Sequence, residues 1–362
     1  MCGIAGFTRF QHSVGDADTL KAMGNVIRHR GLDASGEYID DNVGICHRRL
    51  SIIDLSDAGT QPMHYQDDML VIVFNGEIYN FACLRENLLK EGFKFTTRTD
   101  TEVLLALYQR DKEKMLDKIE GMFAFAIWDK QDQSLFLARD RLGKKPLYYY
   151  NGNGHFIFGS EIKSILATNQ VPRVINDEAV YDFFAYQYIP DPKSIFKDIY
   201  KLEPGHYMRV SAEKTTKTCY WDISFKPKST KNASTIANEL LLKIKKSTIS
   251  RMVSDVPLGA FLSGGVDSSG VVGLMAENST SPVTTCAIGF DSKKYDEVVF
   301  AKKVAEQFKT THHEFTVREN VSEHLEKIVG YFDEPFADPS LVPTYFVSAL
   351  ARKKVTLSLI HI

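Results

Sequence analysis

Residues Leu262–Ser269 read L-S-G-G-V-D-S-S, after a short apolar run, Leu258–Leu262, and at the start of a helical stretch, Ser268–Glu277. Two glycines let backbone N–H groups approach an anion closely. A helix N-terminus behind them adds positive partial charge, and the serines add hydroxyl donors. The octapeptide reads as a phosphate-cradling loop. It is not the G-x-x-x-x-G-K-S/T loop, because no Lys follows the glycines. Asp267 would repel a bare phosphate but suits a Mg²⁺ that bridges to one. The bland alternative is a strand–turn–helix corner that needs glycine.

The surrounding rhythm decides between these readings. Downstream come strand Val283–Phe290, helix Asp296–Gln307, a strand near His312–Phe315, and helices Val321–Phe332 and Leu341–Arg352. Strands alternating with helices imply a parallel sheet with crossovers. Upstream, Ser234–Met252 is helical by spacing, with Ile236, Leu240 and Ile244 on one face and Lys243, Lys245 and Lys246 on a solvated one. Residues 224–233 (SFKPKSTKNA) are polar and Pro-containing, as a linker would be. His312 and His313 are adjacent on a strand, so they point to opposite faces and make a poor metal pair. The predicted division is a first domain over 1–210, a linker over 211–233, a second domain over 234–356 and a tail over 357–362.

The first 210 residues have a different texture. Ile4–Thr8, Leu70–Phe74, Met122–Trp128, Leu135–Ala138 and His155–Phe158 are short strands rich in Phe, Ile and Val. Phe81, Leu84 and Leu88 have helical spacing that ends near Gly92. This mixture predicts a layered α+β domain, with Phe183–Phe184 and Tyr148–Tyr150 in its core. Cys2 follows Met1 directly. With Met1 removed, its thiol would sit beside its own α-amine, which titrates near ~7.7–8.0 and is partly a neutral base at neutral pH. One residue could then supply both nucleophile and base. Arg28–Gly36 (RHRGLDASG), His47–Asp54 (HRRLSIID), Asn75–Asn80 (NGEIYN) and Thr99–Glu102 (TDTE) each combine Gly or Asp turns with polar side chains. Such an inventory meets the needs of glutamine hydrolysis. Asn75 and the Gly76 N–H could stabilise an oxyanion. Arg49 could grip an α-carboxylate, and Glu77 and Asp100 an α-ammonium.

These segments, with Gly121–Asp129 (GMFAFAIWD), Ala138–Tyr149 (ARDRLGKKPLYY) and Ser160–Leu166 (SEIKSIL), resemble the N-terminal-nucleophile glutaminase domain of class II amidotransferases. The resemblance implies an αββα sandwich of two mostly antiparallel sheets. It implies Cys2 as nucleophile, Asn75 and Gly76 as oxyanion donors, and Arg49, Asn75, Glu77 and Asp100 as glutamine binders. The family's usual RHRGPD has Leu32 in place of Pro here, which frees one φ angle but removes no catalytic group. S-G-G-V-D-S-S resembles the pyrophosphate loop of ATP-pyrophosphatases, an α/β adenine-nucleotide alpha-hydrolase-like fold. By that likeness Ser263, Gly264, Gly265, Asp267, Ser268 and Ser269 contact pyrophosphate or its metal, and Leu262 and Ile288 border the adenosine. The two halves in this order, with Asp333–Tyr345 (DEPFADPSLVPTY), resemble the glutamine-hydrolysing asparagine synthetases. The resemblance implies ATP, Mg²⁺, glutamine and aspartate as reactants and cofactor, a cytoplasmic setting and a homodimer as the assembly to consider. A relative that amidates another carboxylate, such as a sugar acid of surface polysaccharide, and a binding module that kept the fold are the competing readings. A β-lactam-forming relative is disfavoured by the N-terminal Cys.

Composition narrows the remaining classes. A net charge of −2 over 362 residues gives no basic field for nucleic acid. No apolar run approaches the ~20 residues of a membrane span. The five cysteines (Cys2, Cys46, Cys83, Cys219, Cys286) are scattered without a C-x-x-C pair, against a disulfide framework or zinc site. The closing LSLIHI (Leu357–Ile362) is what CTG-TCT-CTT-ATA-CAC-ATC encodes, a string that resembles a transposon end used in sequencing-library adapters. The expectation is that this tail is non-native and the protein longer. A second acidic loop for metal and substrate would then be missing, leaving glutamine hydrolysis without amide synthesis.

Overall fold

The computed structural model describes residues 1–10, 14–290, 298–317 and 321–359. Two compact units divide the chain. One comprises Met1–Ser224 and Asp333–Ala337, the other Phe225–Phe332 and Asp338–Ile362.

In the first unit the order is β1 (Gly3–Thr8), α1 (Ala17–Val26), β2 (Ala34–Ile39), β3 (Val43–Arg49), β4 (Met63–Tyr65), β5 (Leu70–Ile78), α2 (Phe81–Lys90), α3 (Asp100–Asp111), β6 (Gly121–Asp129), β7 (Ser134–Arg139), β8 (Tyr148–Gly152), β9 (His155–Gly159), α4 (Ile162–Leu166), α5 (Asp177–Tyr186), β10 (Ile199–Lys201), β11 (His206–Ser211) and β12 (Thr215–Cys219). They build two six-stranded sheets, ordered β10-β8-β9-β1-β3-β2 and β12-β11-β7-β6-β5-β4. Neighbouring strands run antiparallel in both.

The strand pleat explains the layering. Alternate side chains go to opposite faces, and here both faces are apolar. On β6, Phe123, Phe125 and Ile127 pack outward with Val103, Leu107 and Tyr108 of α3. Its Ala124, Ala126 and Trp128 pack inward with Ile4, Ile45, Val71 and Val73. On the other sheet, Ala5 and Phe7 face Leu20 and Met23 of α1, Ile27 just after it, and Ile162 and Ile165 of α4. Helix, sheet, sheet and helix thus form four layers, the αββα sandwich expected. Helix α3 has no counterpart in the sequence reading. Its residues Asp100 to Tyr108 are buried on every side, so the run lacks the polar stripe that marks an amphipathic helix.

Three readings need correction. Asn75 and Gly76 do not form a turn: β5 continues to Ile78, paired in register with β6 as far as Gly121. Part of the predicted linker is strand β12, whose Thr-rich sequence suits a pleated ladder and pairs with β11. Phe184 is 80% exposed. On α5 the buried Ala179 and the half-buried Phe183 share a face at i, i+4, and Phe184 is turned about 100° from it.

The second unit contains α6 (Ala233–Ser250), β13 (Leu258–Phe261), α7 (Val266–Asn278), β14 (Thr284–Phe290), α8 (Val298–Phe308), β15 (Thr311–Val317), α9 (Val321–Val329), α10 (Leu341–Ala351) and β16 (Leu357–Ser358). The sequence starts the third of these helices, α8, at Asp296, which lies outside the described residues. Four parallel strands are ordered β15-β14-β13-β16. Val272, Met275, Ala301 and Ala305 cover one face of this sheet. The Ile236, Leu240 and Ile244 face of α6 stays exposed. His312 meets Thr285 Oγ1 at 2.8 Å, while His313 stacks along the strand with Phe315. Among the described residues, no helix is long and apolar enough to cross a membrane.

Candidate functional site

The inner layer of the sandwich changes character along its length. Ile4, Ile45, Val71 and Val73 line it. The same pleat parity sends Cys2, His47, Arg49, Asn75 and Glu77 toward that layer. One end is hydrocarbon and the other polar, and the polar end gathers most of the predicted glutaminase residues.

Cys2 hangs on the start of β1. Its Sγ lies 3.4 Å from the Leu50 N–H and 3.6 Å from the Leu50 carbonyl. Arg30 Nε donates to the Cys2 carbonyl at 3.0 Å. Burial pushes the Cys2 thiol up, against the Leu50 backbone, the chain's α-amine, Lys145 and Arg30, which all favour the thiolate. A thiol held protonated needs a base close by.

Asn75 is 1% exposed, and neither its Oδ1 nor its Nδ2 has a hydrogen-bond partner. Buried amides are normally satisfied, so this one keeps unused hydrogen-bonding capacity. Gly76 must be glycine. A Cβ there would lie 2.2 Å from the Met122 carbonyl and 2.6 Å from the Phe74 ring. His47 is buried, with Nε2 3.1 Å from the Phe74 carbonyl. Burial takes it down to about 3, so it stays neutral.

Arg49 is buried and already engaged. It donates to the Ser56 carbonyl at 2.8 Å and also to the Asp54 carbonyl. A guanidinium carries five N–H donors, so capacity remains for a carboxylate. Asp100 opens α3 and accepts the Ile78 N–H at 2.9 Å. Burial raises its carboxyl to about 6 despite that bond. Glu77 is buried on β5, next in sequence to Ile78.

Lys145 is a functional candidate that motif reading missed. Only 4% exposed, its ammonium lies 2.8 Å from Met1 Sδ. Burial pulls it down to about 8, while Glu77 and Cys2 hold it up and Arg30 opposes. Its signal was the second Lys of a quoted motif, but nothing in the spacing aims it at Cys2, which is far away in sequence. Glu161, in the SEIKSIL motif, was missed in the same way. Burial would raise its carboxyl, yet His29 and Arg30, both at 2.8 Å, bring it down to about 2.

In the second unit the glycine loop leaves the C-terminal end of β13. Sequence order reverses between β13 and β16, and ligands of open α/β sheets bind at such a switch point. Gly264 has φ +80°, a conformation that favours glycine. Ser263 Oγ lies 3.1 Å from Ser268 Oγ and accepts the Gly265 N–H at 3.3 Å. Ser269 Oγ is buried without a partner. Gly265 caps α7 with no side-chain bond, which leaves first-turn N–H groups for an anion. Leu262 is buried and donates its N–H to the Cys286 carbonyl at 2.9 Å. Ile288 lies near the end of β14, paired with Phe315. Asp267 is exposed. Among the described residues no three His, Cys, Asp or Glu side chains gather into a metal cage. Mg²⁺ is commonly held by one or two carboxylates plus phosphate oxygens and water, and Asp267 beside a phosphate loop fits that mode.

Comparison with known proteins follows the same division. Residues 1–221 match the glutamine amidotransferase domain family, and residues 239–360 match the asparagine synthase family. The chain is 41% identical to glutamine-hydrolysing asparagine synthetase 1 of Bacillus subtilis, over 99% of this chain and 57% of that protein. It is 42% identical to a Methanocaldococcus jannaschii protein provisionally named glutamine-hydrolysing asparagine synthetase 2, over 99% of this chain and 73% of the relative. The chain thus spans little more than half the length of the first relative.

Proposed function

The chain belongs to the glutamine-hydrolysing asparagine synthetase family, and from that premise we propose that Cys2 hydrolyses glutamine to supply ammonia for an ATP-dependent amidation of aspartate. The orphaned amide of Asn75, buried in the layer that Cys2 faces, carries this reading.

With Met1 removed, the α-amine of Cys2 takes the thiol proton as Sγ bonds to the glutamine carboxamide carbon. The carbonyl electron pair moves onto oxygen, which accepts hydrogen bonds from Asn75 Nδ2 and the Gly76 N–H. The amine returns the proton to the leaving nitrogen, the C–N bond breaks and ammonia departs. Water then cleaves the thioester and regenerates the thiol. Arg49 binds the glutamine α-carboxylate, and Glu77 and Asp100 its α-ammonium.

At the second site, Ser263, Gly264, Gly265, Ser268 and Ser269 bind the pyrophosphate part of ATP, with Leu262 and Ile288 beside the adenosine. Bound Mg²⁺, held by Asp267, would neutralise phosphate charge. The aspartate β-carboxylate attacks the α-phosphorus and pyrophosphate leaves. Ammonia then displaces AMP from the acyl adenylate, giving asparagine. Free cysteines suit a reducing cytoplasm, and light scattering tests for a homodimer.

The decisive assay compares glutamine hydrolysis by the parent and Cys2→Ala. Loss of ammonia release in a variant that melts like the parent supports the assignment. Unchanged release refutes it. Aspartate-dependent pyrophosphate release by the whole protein, lost in Asp267→Ala, tests the second site.

A further inference from the structure

The chain crosses into the second unit after Ser224, yet Asp333–Ala337 lies back among the residues of the first. This strap connects α9 to α10 in sequence. Three anchors hold it. Asp333 Oδ2 accepts the Lys163 backbone N–H at 2.9 Å, and its Oδ1 lies 3.2 Å from Lys163 Nζ. Glu334 pairs with Lys201 Nζ at 2.6 Å and accepts the Ile195 N–H at 3.3 Å. The Ala337 N–H donates to the Gln187 carbonyl at 3.0 Å. Most irregular segments run over the surface with their charges in water. Here the side chains of Asp333 and Glu334 are only 12% and 16% exposed. Burying charges is unfavourable unless each meets a partner, so the pairing at both ends is specific.

Lys163 is shared between the strap and the nucleophile's surroundings. Its Nζ also lies 3.1 Å from Glu161 Oε2. The other oxygen of Glu161 takes Arg30 Nη1 at 2.8 Å, and Arg30 Nε holds the Cys2 carbonyl at 3.0 Å. An unbroken run of short polar contacts therefore leads from Asp333 through Lys163, Glu161 and Arg30 to the peptide of Cys2. Side chains this buried are weakly screened, and each pair polarises the next.

We propose that Asp333 is a positioning residue for the glutaminase nucleophile: by fixing Lys163, Glu161 and Arg30 it sets the orientation of the Cys2 peptide, and so the line along which the thiol attacks. This rests on the reading of Cys2 as that nucleophile.

A double-mutant cycle tests it in the 362-residue chain: parent, Asp333→Ala, Lys163→Met and the pair together. Two readouts are taken. One is the rate of Cys2 alkylation by iodoacetamide, followed by peptide mass spectrometry with exposed Cys83 as internal control. The other is kcat and KM for glutamine. Each single change should alter Cys2 alkylation and lower kcat by about 3- to 30-fold. KM and Cys83 should stay near parent values, and the double variant should be no worse than either single. Additive losses, or parent-like Cys2 alkylation in folded Asp333→Ala, overturn the proposal. Asp333→Asn keeps an acceptor for the Lys163 N–H but removes the charge, and it carries the test if Asp333→Ala does not fold. Parent-like rates in Asp333→Asn overturn the charge path. Should the parent release no ammonia while Cys2 alkylation still responds to Asp333, the glutaminase reading fails and the positioning stands.

Discussion

Replacing Asn75 by Ala separates catalytic work from structural work in one experiment. A side chain that holds the fold together loses stability when removed. The Asn75 side chain makes no hydrogen bond to another protein group, although it is 1% exposed. Its amide was taken from water without repayment, which disfavours the folded state by roughly 1–3 kcal/mol per unsatisfied group. Truncation removes that penalty and leaves a small cavity, a term of opposite sign and similar size. The melting temperature should therefore stay within a few degrees of the parent, or rise. The glutaminase reaction should suffer far more. Deleting one oxyanion donor lowers kcat about 10²–10³-fold, equivalent to ~2.7–4 kcal/mol of transition-state stabilisation. KM should change little, because the bond strengthens only as charge develops on oxygen. Steady-state ammonia release and a thermal melt on one preparation give both numbers. A variant that keeps kcat, or one that loses kcat together with a melting temperature many degrees lower, would refute the reasoning.

Other expectations follow from the same geometry. The Asp100 carboxyl is raised to about 6, so its contribution to stability is present below the unfolded value and lost as pH climbs through about 6. Catalysis has the opposite need, since ammonium binding wants the carboxylate. The acid limb of log kcat/KM, set first by the α-amine near ~7.7–8.0, should steepen below about pH 6. Asp100→Asn should abolish that steepening and be more stable than the parent at neutral pH in urea melts. Lys145→Met removes a buried ammonium that favours the Cys2 thiolate. Alkylation of Cys2 at neutral pH should slow without a drop in melting temperature, and an unchanged rate would exclude Lys145 from thiol activation. In the second unit, Gly264→Ala puts a Cβ 2.5 Å from Phe300 Cβ at φ +80°, whereas a Cβ at Gly270 meets nothing within 4 Å. Hydrogen exchange across α7 should speed up in Gly264→Ala, by at least the ~1–2 kcal/mol of left-handed strain. Gly270→Ala should slow it or leave it alone.

What the sequence revealed depended on how local the information was. The helices and the first three strands of the second unit were legible because an apolar strand followed by an amphipathic helix is written in consecutive residues, whereas β16 falls in the stretch read as a tail. The sandwich was harder. Strand β6 sends Phe123, Phe125 and Ile127 outward and Ala124, Ala126 and Trp128 inward, yet its sequence reads only as continuous apolar residues. Asn75-Gly76 looked like a turn because nothing local says that β6 continues the ladder beside it. Cys2, Asn75 and Gly76 stood out by residue type, whereas Lys145 and Glu161 owe their importance to contacts across the fold. The return of Asp333 to the first unit is further from local information still: it depends on two lysines more than a hundred residues upstream.

The position of β1 has a consequence for how this protein would fail. Chain starts ordinarily fray, being bonded on one side or none. Here β1 is laddered on one side to β3 and on the other to β9, with both faces covered. Peeling it away would open the central hydrocarbon of the sandwich, so the Cys2 sulfur belongs to the last part of the unit to let go. Warming or urea should then extinguish glutamine breakdown in step with global melting, with no inactive folded species in between, and the amides of Ile4 to Phe7 should be among the slowest of the first unit to exchange with deuterium.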